Sequence, residues 1–200
     1  SYYNDLRTEV ELHLEVDGPG TVGAARPFGA NLSVRATGEV ARETGGFSKY
    51  TLNQQYNPTN GQPINYRDDL EKKIRETLAE RFDVLAVTFH KPGVPPVGAG
   101  REGWEDHPLA YITLKAKDAS VDRIPALQMD LDFTDGMSVV IMPKTTSPVL
   151  IDCRAEPAAV PPEELEITQT LDDRDGAKGV LKLEITAKGK GLVPSLEELF

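Results

Sequence analysis

Along most of this chain apolar and polar residues alternate with a period of two, the spacing that sets one face of a β-strand on a core and the other in water. Val10, Leu12, Leu14 and Val16 alternate with Glu9, Glu11, His13 and Glu15, and Asp17-Gly-Pro-Gly20 ends that run with turn chemistry. Leu32, Val34 and Ala36 continue the pattern in a second strand. Residues 47–56 predict a third, polar on one face through Ser48, Thr51 and Gln55, and residues 84–90 and 111–116 predict two more. The clearest alternation sets Leu127, Met129, Leu131 and Phe133 against Gln128, Asp130, Asp132 and Thr134. Asp135-Gly136 can take positive φ, and a second apolar run follows to Met142, so the segment reads as a β-hairpin. With Asp135-Gly136 as a two-residue turn, Asp132 faces Val139 and Asp130 faces Ile141. The aspartates then share a face with apolar side chains. Either the turn is longer or bulged, or other parts of the protein partly cover that face.

One segment breaks the period. Leu70, Ile74, Thr77, Leu78 and Phe82 fall on a single stripe at helical spacing, which predicts an amphipathic helix over residues 69–82. Asp68 and Glu71 have the spacing of a capping box, and Glu71–Arg75 and Lys72–Glu76 are i,i+4 pairs on the solvated face. Later in the chain, residues 149–153 read as a strand and 155–162, with three prolines, as a linker. Leu165, Ile167 and Leu171 then pair with Leu181, Leu183 and Ile185 around Asp172-Asp-Arg-Asp-Gly176, and Ser195-Leu-Glu-Glu198 reads as a further helix start. Many strands against one full helix predict a mainly β fold, an antiparallel β-sandwich with one inserted helix near 69–82 and a C-terminal β segment. The expected division is a first domain over residues 1–147 and a second, incomplete β module over 148–200.

Composition narrows the function classes. The chain has 200 residues, 39% hydrophobic and 27% charged, which suits a packed fold rather than a disordered one. A net charge of -10 argues against nucleic-acid binding and against docking to an anionic bilayer, because both need clustered Lys and Arg. No apolar run reaches the ~18 residues of a membrane span. Cys153 is the single cysteine, so no internal disulfide forms, and a small buried side chain is its expected role. The chain begins at Ser1 and stops at Glu197-Glu-Leu-Phe200, which reads as a piece of a longer protein.

Several motifs carry candidate chemistry. Gly98-Ala-Gly100-Arg-Glu-Gly103 matches the dinucleotide fingerprint, but prolines separate it from the preceding strand and no helix pattern follows. The long segment 91–108 holds the only Trp, and Trp104, Glu105, Asp106 and His107 form a candidate ligand site. An exposed Trp104 could stack on a sugar ring or anchor a partner, whereas a buried one would cover the core. Asp130 and Asp132 project from one strand face about 7 Å apart by strand rise. They fail the EF-hand pattern, since position 5 would be Thr134 and position 12 Ile141, but a different calcium site on Asp130 and Asp132 stays open. Asp172, Asp173 and Asp175 form a second acidic cluster suited to calcium, with Arg174 and Lys178 able to offset its charge. His13, His90 and His107 lack zinc spacing, and no nucleophile motif appears.

Two segments resemble bacterial immunoglobulin-like modules of exported or membrane-anchored proteins, as in the aerotolerance-type proteins of Gram-negative envelopes. One is Val22-Gly-Ala-Ala-Arg-Pro-Phe-Gly-Ala-Asn-Leu-Ser-Val34, similar to the opening of a module's second strand. The other is Gly179-Val-Leu-Lys-Leu-Glu-Ile-Thr-Ala-Lys-Gly-Lys-Gly-Leu-Val-Pro194, similar to the strand and turn that begin another module. The first departs from the pattern at Ala24-Ala25, and the helix at 69–82 is foreign to a minimal module. The resemblance implies a scaffold or interaction role in the periplasm or cell envelope, with a protein partner or neighbouring domains, and no catalytic residues. The expectation is therefore a non-enzymatic interaction module. A glycan- or calcium-binding module is the alternative, and a hydrolase with its site in 91–108 is the third reading.

Overall fold

The computed structural model describes residues 6–57, 60–135, 138–156, 166–172 and 182–189. The fold is mainly β, built from open antiparallel sheets. The main sheet has the order β1 (Val10–Val16), β2 (Pro27–Thr37), β7 (Trp104–Ala116) and β5 (Phe82–Phe89). A short β6 (Val97–Gly98) pairs with the start of β7. The alternation read from β1 and β2 is realised: Leu12 faces Val34, Leu14 faces Leu32, and these side chains are buried. Phe28 and Phe82 meet edge to face, with ring centres 6.2 Å apart. Each such side chain removed from water contributes about 1.5–3 kcal/mol before entropy is counted.

A bulge in β7 divides the strand into two halves of opposite parity. Leu32 faces Ala110 and Ser33 faces Pro108, so Leu109 is the extra residue and is buried beside Ala110. On the N-terminal side of it, Val34 faces His107 and Arg35 faces Asp106.

Between β2 and β5 the chain makes α1 (Gly38–Glu43), a 3-10 turn (Ser48–Thr51), the short pair β3 (Gln55–Tyr56) and β4 (Pro63–Ile64), and α2 (Tyr66–Leu78). The strand expected over 47–56 is instead a 3-10 turn at Ser48–Thr51, with strand pairing only at Gln55–Tyr56. Phe47 and Tyr50 are both buried in the core cluster, and a spacing of three suits a turn rather than an alternating strand. The alternating pattern gives no sign of α1. Thr37 caps it and Val40 pins it to the core.

α2 buries Leu70, Ile74 and Leu78, the expected stripe, but its limits differ from 69–82. It starts at Tyr66, and Asn53 rather than a capping box receives the Asp68 amide (3.1 Å). It ends at Leu78, and Phe82 opens β5 instead of closing the helix. The Glu71–Arg75 pair forms at 2.8 Å.

β8 (Arg123–Ile124) pairs with β11 (Val149–Leu150), and β9 (Gln128–Asp135) with β10 (Ser138–Thr145). In the hairpin Asp132 faces Ile141 and Asp130 faces Pro143. The register therefore lies one residue further along each strand than a 135–136 turn sets, and its two-residue connection, 136–137, lies outside the described residues. Parity is unchanged by that shift. Met129, Leu131, Phe133 and Met142 enter the core, and the aspartates stand on the other face.

The chain separates into two compact units, Ser1–Pro157 and Ala158–Phe200. The expected division at 147/148 falls inside the first unit. Ile151 and Cys153 belong to its core, and Asp152 exchanges main-chain hydrogen bonds with Gly20 (2.8 Å) and Val22 (2.9 Å). The second unit holds β12 (Glu166–Asp172) paired with β13 (Lys182–Lys188), where Leu171 faces Leu183. The strand start at Leu165 and Leu181 and the helix expected from Ser195 lie outside the described residues. No helix among the described residues is long and apolar enough to cross a membrane.

Candidate functional site

A dense polar cluster forms where the face of β9 opposite the core meets the 3-10 turn and α2. The turn delivers Lys49 and Tyr50, and the first residue of α2 delivers Tyr66. All three converge on Asp132. Tyr50 Oη donates to Asp132 Oδ1 (2.9 Å), Tyr66 Oη donates to Oδ2, and Lys49 Nζ lies 2.9 Å from Oδ1. Lys49 also donates to the Asp132 carbonyl, and the Asp132 amide donates to Tyr50 Oη at 2.7 Å. The tyrosine rings meet edge to face at 5.1 Å, with the Lys49 ammonium 5.2 and 5.8 Å from their centres.

This crowding sets the electrostatics. Burial alone would raise the Asp132 pKa, but hydrogen bonds from Tyr66 and Lys49, the Lys49 charge and the Tyr50 hydroxyl hold it below the usual carboxylate value. Burial first, and then the neighbouring carboxylate, push both phenols well above the ordinary tyrosine value. The carboxylate stays charged and the phenols stay protonated at neutral pH. Neither phenol is poised to act as a base or a nucleophile.

Beside the cluster runs a cleft of about 190 Å³ with Ile64, Tyr66, Leu70, Met129 and Ile141 among its lining residues. Ile141 is 64% exposed at its mouth. Lys73 of α2 reaches Asp130 of β9 at 3.0 Å. Asp130 and Asp132 therefore share one face as expected, yet each carboxylate is already engaged by its own lysine. That arrangement removes the reason for placing a calcium ion between them. Asp172 sits opposite Lys182 in the β12–β13 ladder, while Asp173 and Asp175 lie outside the described residues. Among the described residues, no three His, Cys, Asp or Glu side chains gather as a metal site would require.

Trp104, Glu105, Asp106 and His107 are the first residues of β7, not part of a loop. Strand alternation sends Trp104 and Asp106 to one face and Glu105 and His107 to the other, so they do not converge. Trp104 is 8% exposed, and the Arg101 guanidinium stacks over its ring at 4.2 Å. It offers no open platform for a sugar. Asp106 pairs with Arg35 at 2.8 Å, and Arg35 also reaches Glu15 at 3.6 Å. His107 packs edge to face on Phe47 at 4.9 Å. Its buried Nε2 has no hydrogen-bond partner among the described residues, and Glu105 stands 3.6 Å from it. Burial lowers the His107 pKa despite the attraction of Glu105 and Asp106. Cys153 is buried, and burial followed by Asp152 raises its thiol pKa. Gly98 lies in β6, and the glycine-rich segment opens no helix.

Lys49, Tyr50 and Tyr66 escaped sequence reasoning. The one signal for them was the aspartate row on a hairpin face that also carries apolar residues. No protein-family model, no curated protein and no solved structure matches this chain.

Proposed function

We propose that this chain is a non-enzymatic protein-interaction module of a larger cell-envelope or surface protein, built on a β-sandwich of immunoglobulin-like kind. The observation that carries the reading is the closure of the Lys49–Tyr50–Tyr66–Asp132 cluster. Each polar group there is consumed by another, and the phenols are held protonated. Such a cluster fixes the shape of the cleft next to it and leaves no general base or nucleophile free for chemistry. The burial of Cys153, with its thiol pKa raised, supports the same reading. The cleft beside exposed Ile141, lined by apolar side chains and by Asp69, Lys73 and Asp130, gives a partner's side chain a place to enter.

The test is a turnover screen of the full chain with nitrophenyl esters, phosphates and glycosides. The expected result is hydrolysis no faster than in buffer. Turnover that falls in Tyr66→Phe or His107→Ala overturns the reading.

A further inference from the structure

β5 ends the main sheet, and its outer side is closed over one half and open over the other. The His90 amide donates to the Leu109 carbonyl on β7 at 2.9 Å. Antiparallel alternation then turns the main-chain groups of Thr88 towards β7 as well, and those of Val87 and Phe89 away from it. At the other end the Val84 carbonyl is taken by the Arg75 guanidinium (2.8 Å), which Glu71 holds in place. Among the described residues, the outward N–H and C=O groups of Val87 and Phe89 have no partner. Their side chains pack partly against the core, while Thr88 is exposed on the opposite face. Proteins blunt such edges with Lys, Pro or a bulge. Here the bulge lies at Leu85, before the open half, and residues 85–90 contain no Lys, Arg, Asp, Glu or Pro.

We propose that this open half-edge is a self-association surface, where two copies join β5 to β5 antiparallel about a two-fold axis through Thr88. That register is dictated by the groups that point outward. Val87 meets Phe89 of the second copy and Phe89 meets its Val87, each pair exchanging both main-chain hydrogen bonds. On the core face this sets β-branched beside aromatic side chains twice over, and on the opposite face Thr88 beside Thr88, all favourable cross-strand pairs. Charge selects the same strip. Two chains of net charge -10 repel over most of their surfaces, and an uncharged segment is where they approach at least cost. The Arg75-capped Val84 lies four residues from the axis, about 13 Å along the strand, and stays outside the joint.

The test is sedimentation velocity of the full chain in a concentration series. Wild type should pass from monomer to dimer as concentration rises. Thr88→Lys and Thr88→Glu each set like charges face to face on the axis, and each should weaken association at least tenfold, with circular dichroism unchanged and the melting temperature unchanged at concentrations where wild type is monomeric. An equimolar mixture of the two variants should regain the dimer through Lys–Glu pairing. A wild type that stays monomeric throughout overturns the proposal, and so does dimerisation of either variant as strong as wild type. A monomer that binds a foreign extended peptide at this edge, but not itself, overturns it too.

Discussion

The Tyr50 hydroxyl donates to the Asp132 carboxylate at 2.9 Å and accepts from the Asp132 backbone amide at 2.7 Å. One side chain thus reads both the charge and the main chain of a residue 82 positions away. With Tyr66 and Lys49 it ties the β9–β10 hairpin to the segment that links β2 to β5. Removing the carboxylate takes the Asp132 acceptor from Tyr66 and leaves Tyr50 and the charged Lys49 only the Asp132 carbonyl. Asp132→Ala should therefore cost about 2–4 kcal/mol, and Tyr66→Phe about 1–2 kcal/mol. Urea unfolding checks both. Because the groups share one network, the loss in Asp132→Ala with Tyr66→Phe should fall well short of the sum.

Asp132 and His107 make stability depend on pH in separate windows. The Asp132 pKa is lower folded than unfolded, so its contribution is complete above the unfolded value near 4 and drains away as pH falls through the folded value. The His107 pKa is also lowered by folding, because its buried ring resists protonation. Unfolded chains take up that proton below about pH 6.5, so stability declines from there and levels off below the folded value. Melting temperature against pH should show both limbs. His107→Gln should remove the upper one, and Asp132→Asn should reduce the lower one, to which Asp68, Asp118 and Asp122 also contribute through their own lowered pKa values. An upper limb that persists in His107→Gln would assign it to another group.

How much of this was legible depends on the range of the forces involved. Alternation of Leu12, Leu14, Leu32 and Val34 announced β1 and β2, because burial on one sheet face is written locally in the sequence. Leu70, Ile74 and Leu78 announced α2 for the same reason. The ends of α2 were not legible, since Asn53 supplies the acceptor for the Asp68 amide from 15 residues away, and Phe82 suits helix stripe and strand equally. The bulge at Leu109 was hidden as well. It reverses the parity of Trp104 to His107 relative to the rest of β7, while alternation within the strand sends the four residues of the apparent site to two faces. At Asp132 the sequence carried only an anomaly, a carboxylate opposite an apolar strand face. Its explanation lay in Lys49, Tyr50 and Tyr66, brought near by tertiary folding alone.

Trp104 gives a direct optical check of that reversed parity. Being buried under Arg101, the single tryptophan should emit at short wavelength and resist iodide quenching. Mono- and oligosaccharides should leave the emission unchanged. Trp104→Ala should destabilise by about 3–5 kcal/mol, the cost of emptying a large buried site, measured by denaturant unfolding. Free quenching by iodide would show that the ring is open to solvent and restore it as a ligand platform.

Gly29 and Tyr111 make the most specific prediction. They lie on adjacent strands, with Gly29 facing Thr113, and the Tyr111 ring crosses the sheet over Gly29 to donate to Asp17 at 2.8 Å. A Cβ on Gly29 would stand 1.8 Å from Tyr111 Oη, so the two cannot coexist. Gly29→Ala must swing the ring off the sheet and break its bond to Asp17, at a cost of about 1–2 kcal/mol. In a Tyr111→Ala background the same substitution meets no obstacle and removes a flexible residue from a strand, so it should be neutral or stabilising by about 0.5–1 kcal/mol. The double-mutant cycle would therefore show strong coupling between the two sites. Additive losses would mean that Gly29 is required by the backbone of β2 itself, not by the ring that lies across it.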